Sequence, residues 1–233
     1  MSIEKLKNGQ SAIGTMVRMI RNPAIARIAK NNGLDFIMFD MEHGVYSLET
    51  IADIFKVSRA IGLGSFVRAP ELSKGYISRV MDAGADGIMV PMLESVEMAE
   101  KLAAWAKFAP IGKRGFGSSG NHTDFAGVKP TEFTAQANKE TLTIAQIETG
   151  PAIENIDKIA AVEGIDALLI GPNDLAISLG CTGDTMGDTV TEAIGKVEAA
   201  AKKHNKIFGM HGNDALLERW IPRGVTLIMN NLD

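Results

Sequence analysis

Cysteine is almost missing from this chain. Cys181 stands alone among 233 residues, so no internal disulfide can form and no thiolate cluster can hold a metal. No apolar stretch approaches the roughly 18 residues of a membrane span. The N-terminal run Met1-Ser2-Ile3-Glu4-Lys5-Leu6-Lys7 is charged where a signal peptide needs an apolar centre. Charge of one sign is also lacking. With 24 basic and 28 acidic residues the net charge is −4, which gives no electrostatic reason to expect nucleic acid or an anionic membrane as partner. No low-complexity linker interrupts the chain, which predicts a single domain over residues 1–233. Hydrophobic content of 45% and charged content of 22% fit a globular protein, and a cytoplasmic enzyme is the expectation.

What is present is rhythm. Short apolar runs recur at 12–17, 36–39, 65–67, 87–90, 142–147, 167–170, 207–210 and 226–229, and each reads as a buried strand. Helical patterns separate them, among them 23–31 with proline in its first turn, 48–60, 73–83, 95–108 and 189–204. Ser73 and Ser95 stand where an N-cap belongs. Strands alternating with helices imply parallel pairing and right-handed crossovers. Eight such units predict a (β/α)8 TIM barrel. A doubly wound open sheet is the alternative, disfavoured because no Gly-x-Gly-x-x-Gly turn follows the first strand. One segment, 109–130, breaks the rhythm. It holds Arg114-Gly115-Phe116-Gly117-Ser118-Ser119-Gly120-Asn121-His122, and a loop of this length predicts function, with Arg114 as an anion donor.

In a barrel the C-terminal ends of the strands converge on one rim. Two apolar runs in succession stop there at carboxylates: Gln146-Ile147-Glu148, then Gly171-Pro172-Asn173-Asp174. Glu148 and Asp174 together read as hard oxygen ligands of one divalent cation, because two buried like charges repel unless a cation or proton separates them. Other strand ends bring Asp40-Met41-Glu42-His43-Gly44, Val67-Arg68-Ala69-Pro70, His211 and Asn230 to the same face. His43 reads equally as a proton-transfer group or a histidine tied to a backbone carbonyl. Arg68 reads as an anion-binding group or as the partner of Glu42 or Glu148 in a structural ion pair. Asp82, in the last turn of a helix, reads by itself as a surface residue, and His122 and His204 read as exposed. Met81, Met89, Met92 and Met98 read as core filler.

Taken in order, Phe39-Asp40-Met41-Glu42-His43-Gly44, Val67-Arg68-Ala69-Pro70, Val90-Pro91-Met92, Lys113-Arg114-Gly115-Phe116-Gly117, Gln146-Ile147-Glu148-Thr149 and Ile170-Gly171-Pro172-Asn173-Asp174-Leu175 resemble the HpcH/HpaI aldolase family. These are metal-dependent (class II) pyruvate aldolases on a barrel of the phosphoenolpyruvate/pyruvate superfamily. The resemblance runs from about Ile13 to the C-terminus. It implies reversible cleavage of a 2-keto-4-hydroxy acid, such as 4-hydroxy-2-oxo-heptanedioate or a 2-keto-3-deoxy sugar acid, to pyruvate and an aldehyde through a metal-stabilised enolate. By resemblance Glu148 and Asp174 hold Mg2+, Mn2+ or Co2+, and Arg68 holds the keto oxygen. His43 moves the proton, Asp82 orients His43, Gln146 lines the pocket, and Asn173 and Asp174 present backbone N–H groups to the pyruvate carboxylate. No lysine falls at a pocket-side strand end, which argues against a Schiff-base aldolase.

Competing readings are an oxaloacetate decarboxylase, a citramalyl/malyl-CoA-type lyase, or a non-catalytic keto-acid-binding protein. The sequence also departs from the family pattern. Met16, flanked by Arg18, stands where a tryptophan is frequent. The chain stops at Asn231-Leu232-Asp233, where relatives carry one more helix that is exchanged between subunits. The resemblance implies a homo-oligomer built on dimers, up to a hexamer.

Overall fold

The computed structural model describes residues 2–232. Eight strands form a closed, wholly parallel barrel in chain order: β1 Ala12–Val17, β2 Phe36–Asp40, β3 Gly64–Arg68, β4 Gly87–Val90, β5 Leu142–Ile147, β6 Ala167–Ile170, β7 Ile207–His211 and β8 Leu227–Leu232. Each pairs with its successor, and β8 returns to β1, where the register shifts between Gly14 and Met16. The barrel and all eight expected strands are present. The boundaries differ where they matter most, because β2, β3 and β7 each run one residue further than the apolar run suggests, into Asp40, Arg68 and His211.

The expected helices form as Ala24–Asn31, Leu48–Ala60, Lys74–Asp82, Val96–Ala106 and Asp188–Lys203. Ser47 and Ser95 cap theirs by accepting the N–H of Thr50 and of Met98, whereas Ser73 makes no side-chain cap. A further short helix, Ser2–Lys7, tucks Ile3 and Leu6 against the residues filling the barrel. Among the described residues no helix is long and apolar enough to cross a membrane.

Strand parity explains how the site is positioned. Successive side chains point to opposite faces of a strand. Phe36, Met38, Phe66, Met89, Leu142, Ile144, Leu169, Leu227 and Met229 fill the barrel interior, while Ile37, Phe39, Val67, Ile88, Ala145 and Leu168 pack outward against the helices. Continuing the inward series by one step takes β1 from Met16 to Arg18, β2 from Met38 to Asp40 and β3 from Phe66 to Arg68. The same step takes β5 from Ile144 to Gln146 and Glu148, and β7 from Gly209 to His211. The polar site is the topmost layer of the core.

The segment 109–130 packs on the flank of the barrel instead of over the rim, and none of its residues lines the cavity there. Its aromatic side chain Phe116 joins Phe108 and Phe133, with ring centroids 5.8–6.2 Å apart. Asn121 donates to the carbonyls of Ala52 and Ala83 on two neighbouring helices. Arg114 is not an anion donor for a ligand: its side chain is 2% exposed, stacks on Phe108 at 4.6 Å and pairs with Asp82 at 2.6 Å. His122 is half-buried, with one ring nitrogen toward the carbonyl of Asp82 and the other toward that of Gly117, and His204 pairs with Asp157.

Candidate active site

At the C-terminal mouth of the barrel lies a cavity of about 550 Å³ whose wall includes Arg18, His43, Arg68, Gln146, Asn173, Asp174 and His211. Its organising group is Asp40, fully buried at the end of β2. Arg68 lies opposite it in register on β3. Arg68 donates from Nε to Oδ1 at 2.9 Å and from Nη2 to Oδ2 at 2.6 Å, a two-bond grip suited to the planar guanidinium. Arg18 adds a bond from its Nε to Oδ2 at 2.7 Å, and the backbone N–H groups of Glu42 and His43 donate to Oδ1. Burial by itself would raise the Asp40 carboxyl, but Arg68, Arg18 and the His43 N–H outweigh it and hold the carboxyl at about 2.

Arg68 is also 3.0 Å from Glu42 through Nη1. That contact is one of charge, since Glu42 Oε2 makes no well-directed hydrogen bond. All three guanidinium nitrogens are thus engaged, Nε and Nη2 by Asp40 and Nη1 by Glu42, with Nη2 also 3.8 Å from Met16 Sδ, and the side chain forms part of the cavity wall. His43 is exposed at the rim, 3.7 Å from Glu42.

Glu148, just beyond β5, is 2% exposed. Its Oε1 accepts the Met92 N–H at 2.8 Å and its Oε2 accepts the Gln146 amide. Met92 is not core filler: it is half-exposed and held at φ 47°, a conformation that costs a non-glycine residue energy and here aims its N–H at Glu148. Burial pushes the Glu148 carboxyl up to about 7, the charges of Asp174 and Glu42 push the same way, and the Met92 N–H and Arg68 only partly oppose them. Gly171, between β6 and the helix Pro172–Ser178, lets the two walls meet, because a Cβ there would run into Glu148 Oε2 and Gln146 Nε2. Asp174 sits in the first turn of that helix, half-exposed.

The structure therefore brings together His43, Arg68, Gln146, Glu148, Asn173 and Asp174. It does not bring in Asp82. The helix Lys74–Asp82 starts near the rim and runs back down the barrel, so its last residue returns to the opposite end, where Asp82 accepts from Arg114. No hydrogen bond joins Asp82 to His43 among the described residues. Three residues to which sequence reasoning gave no role, Asp40, Arg18 and His211, stand at the cavity mouth, and inward parity was the signal that could have singled them out. No lysine lines the cavity. Lys107, the buried lysine, lies elsewhere, tied to Asp166 and to the carbonyls of Asn138 and Thr141.

The profile of a family described as HpcH/HpaI aldolase/citrate lyase matches residues 18–227. The chain is 34% identical over 230 residues to a 4-hydroxy-2-oxovalerate aldolase from Novosphingobium aromaticivorans, covering 98% of this chain and 86% of that one. It is 31% identical over 223 residues to a 4-hydroxy-4-methyl-2-oxoglutarate aldolase from Hapsidospora irregularis, covering 93% and 82%. Among solved structures it is similar to an HpcH/HpaI aldolase from Desulfitobacterium hafniense DCB-2, with a TM-score of 0.95 and 35% identity over 99% of this chain and 89% of the other. A parallel barrel with a guanidinium and two carboxylates at its C-terminal mouth, matched over nearly its whole length by these aldolases, belongs to the HpcH/HpaI aldolase/citrate lyase family and is a lyase of the aldolase type.

Proposed function

We propose that this chain is a class II, divalent-metal-dependent pyruvate aldolase that reversibly cleaves a 2-keto-4-hydroxy acid to pyruvate and an aldehyde. The observation that carries the reading is the placement of Arg68, clamped by Asp40, in the same cavity wall as Gln146 and Asp174, with buried Glu148 directly behind. The relatives' names, 4-hydroxy-2-oxovalerate aldolase and 4-hydroxy-4-methyl-2-oxoglutarate aldolase, support the substrate class.

The donor set fits a hard divalent cation. Gln146 Oε1 is buried without a hydrogen-bond partner, and Glu148 is a buried carboxylate whose charge is disfavoured by its surroundings, with the charge of Asp174 within reach. Among the described residues no three His, Cys, Asp or Glu side chains surround one point, so Glu148 and Asp174 would leave the remaining positions to water and substrate oxygens, as Mg2+ or Mn2+ accepts. When bound, such an ion supplies positive charge against the oxygen that becomes anionic as the bond breaks.

The chain's own residues provide the rest. The C4 hydroxyl must lose a proton, the C3–C4 bond breaks, and its electron pair passes into the enolate of pyruvate, which is protonated at C3. Arg68 faces that developing oxyanion already oriented, with no reorganisation needed at the moment of reaction. His43, beside Glu42 at the rim, takes the C4 hydroxyl proton and returns one to C3. Asn173 and Asp174 present first-turn N–H groups to the pyruvate carboxylate. We place Asp82 outside this machinery within one chain. The exposed apolar residues Met19 and Val45, whose carbonyls both accept from Arg21, suit burial between copies of the chain, in keeping with a homo-oligomer.

The test is pyruvate release from a racemic 2-keto-4-hydroxy acid, coupled to lactate dehydrogenase, after EDTA treatment and again with Mg2+, Mn2+ or Co2+ returned. Turnover lost with EDTA and restored by metal is expected. A protein that binds pyruvate but cleaves no such acid with any of the three ions overturns the reading.

A further inference from the structure

The cavity is far larger than pyruvate, and the remainder of it must receive the aldehyde-derived half of the substrate. That remainder is walled by residues that follow β6, β7 and β1 or end them, including Thr185, His211, Asn213 and Arg18. His211 is the most informative of them. Its Nε2 lies 3.3 Å from the backbone carbonyl of Asn231. A carbonyl oxygen only accepts, so Nε2 must carry the hydrogen, and in a neutral ring Nδ1 is then a bare acceptor. Nδ1 has no partner among the described residues, and it is not one of the sealed polar atoms left unpaired. It therefore opens on accessible space. Burial lowers the ring's pKa and the Arg68 and Arg18 charges lower it further, against the Asn231 carbonyl and Asp40, which favours the neutral form.

We infer that His211 is a specificity residue that accepts, at Nδ1, a hydrogen bond from a hydroxyl on the aldehyde-derived part of the substrate. The preferred partners of pyruvate are then aldehydes with a hydroxyl beside the carbonyl, and the preferred keto acids carry a hydroxyl at C5 as well as C4. The inference rests on the aldolase reading and narrows it. A site that offers an unpaired acceptor discriminates against the analogue lacking the hydroxyl, because the acceptor is then left dry and unpartnered.

The experiment compares glycolaldehyde with acetaldehyde, and lactaldehyde with propionaldehyde, as acceptors of pyruvate in the presence of Mg2+. Deuterium exchange of the pyruvate methyl group, followed by NMR without any aldehyde, serves as an independent readout. In His211→Phe the KM for the hydroxylated aldehydes should rise about 10-fold, while KM for the plain ones and the exchange rate stay within about twofold. His211→Asn, which sets an amide oxygen where Nδ1 stood, should recover most of the loss. An equal effect on both kinds of aldehyde, no effect on either, a loss of exchange, or wild-type preference for the plain aldehydes overturns the inference and leaves the aldolase reading standing. Wild-type protein with neither exchange nor cleavage overturns the aldolase reading, and this inference with it.

Discussion

Arg68 and Asp40 face each other across β2 and β3 as paired residues of one ladder and are joined by two hydrogen bonds of 2.9 and 2.6 Å. The pair fixes a guanidinium plane at the floor of the cavity. A lysine could keep the charge but not the two-bond grip. Arg68→Lys is expected to lower kcat/KM for keto-acid cleavage at least about 100-fold, as removal of a preorganised oxyanion donor does elsewhere. The melting temperature should fall by only a few degrees. Pyruvate release and a thermal melt check both, and a variant with wild-type kcat/KM would remove Arg68 from the mechanism.

Asp40 links the site to acid stability. Its native carboxyl sits at about 2, below the ordinary 3.8, so the native state binds that proton less readily than the unfolded chain. The stabilisation is fully present above pH 4 and is lost as pH falls from about 4 to 2, amounting to about 2 kcal/mol. By pH 3 about half of it, roughly 1 kcal/mol, is lost, and urea unfolding at pH 7 and at pH 3 should show that share in wild type. In Asp40→Asn it should be smaller, with stability lower at neutral pH. Equal pH dependence in the two proteins would show that Asp40 is not the acid-sensitive group.

Glu148→Gln keeps the shape of the side chain and removes its charge. Mn2+ affinity, read by calorimetry or electron paramagnetic resonance, should weaken at least about 10-fold, as expected when one of two carboxylate ligands is neutralised. Unchanged Mn2+ affinity would move the metal elsewhere.

Asp82 is a stability residue within the chain. Arg114 is 2% exposed and Asp82 44% exposed, so Asp82→Ala leaves a buried guanidinium against Phe108 without its anion. Unfolding free energy should drop by about 1–3 kcal/mol, less than for a fully buried pair because water still reaches the carboxylate side. A urea midpoint equal to that of wild type would show that the pairing contributes nothing.

The barrel was legible in the sequence because a buried parallel strand is apolar on both faces and stands out as a run. Glu148 and Asp174 were legible for the complementary reason, as charges that end such runs. Asp40 was placed at the rim as a strand end but given no role, because the apolar run stops at Phe39. The alternation Phe36, Met38, Asp40 places it with the interior residues. His211 was noted only as a strand end, since its role depends on which nitrogen meets the Asn231 carbonyl, which no sequence states. Arg114 was misread and its pairing with Asp82 not foreseen, because a helix end and a loop find each other only after the chain has folded back down the barrel. Met92 was taken for filler by residue type, when its backbone N–H is what the site uses.

The shifted register between β1 and β8 has a wider consequence. Among the described residues the other seven junctions carry no such shift, so the irregularity in the ladder is confined to one seam. Arg68, Gln146 and Asp174 stand on the regular arc, and Arg18, Asn230 and Asn231 stand at the seam, with His211 on the strand beside it. Substitutions at Asn230 or Asn231 meet the chamber at this seam away from the Arg68–Asp40 pair, whereas Arg18 donates to Asp40, so the seam joins the aldehyde side of the chamber to the side that handles pyruvate.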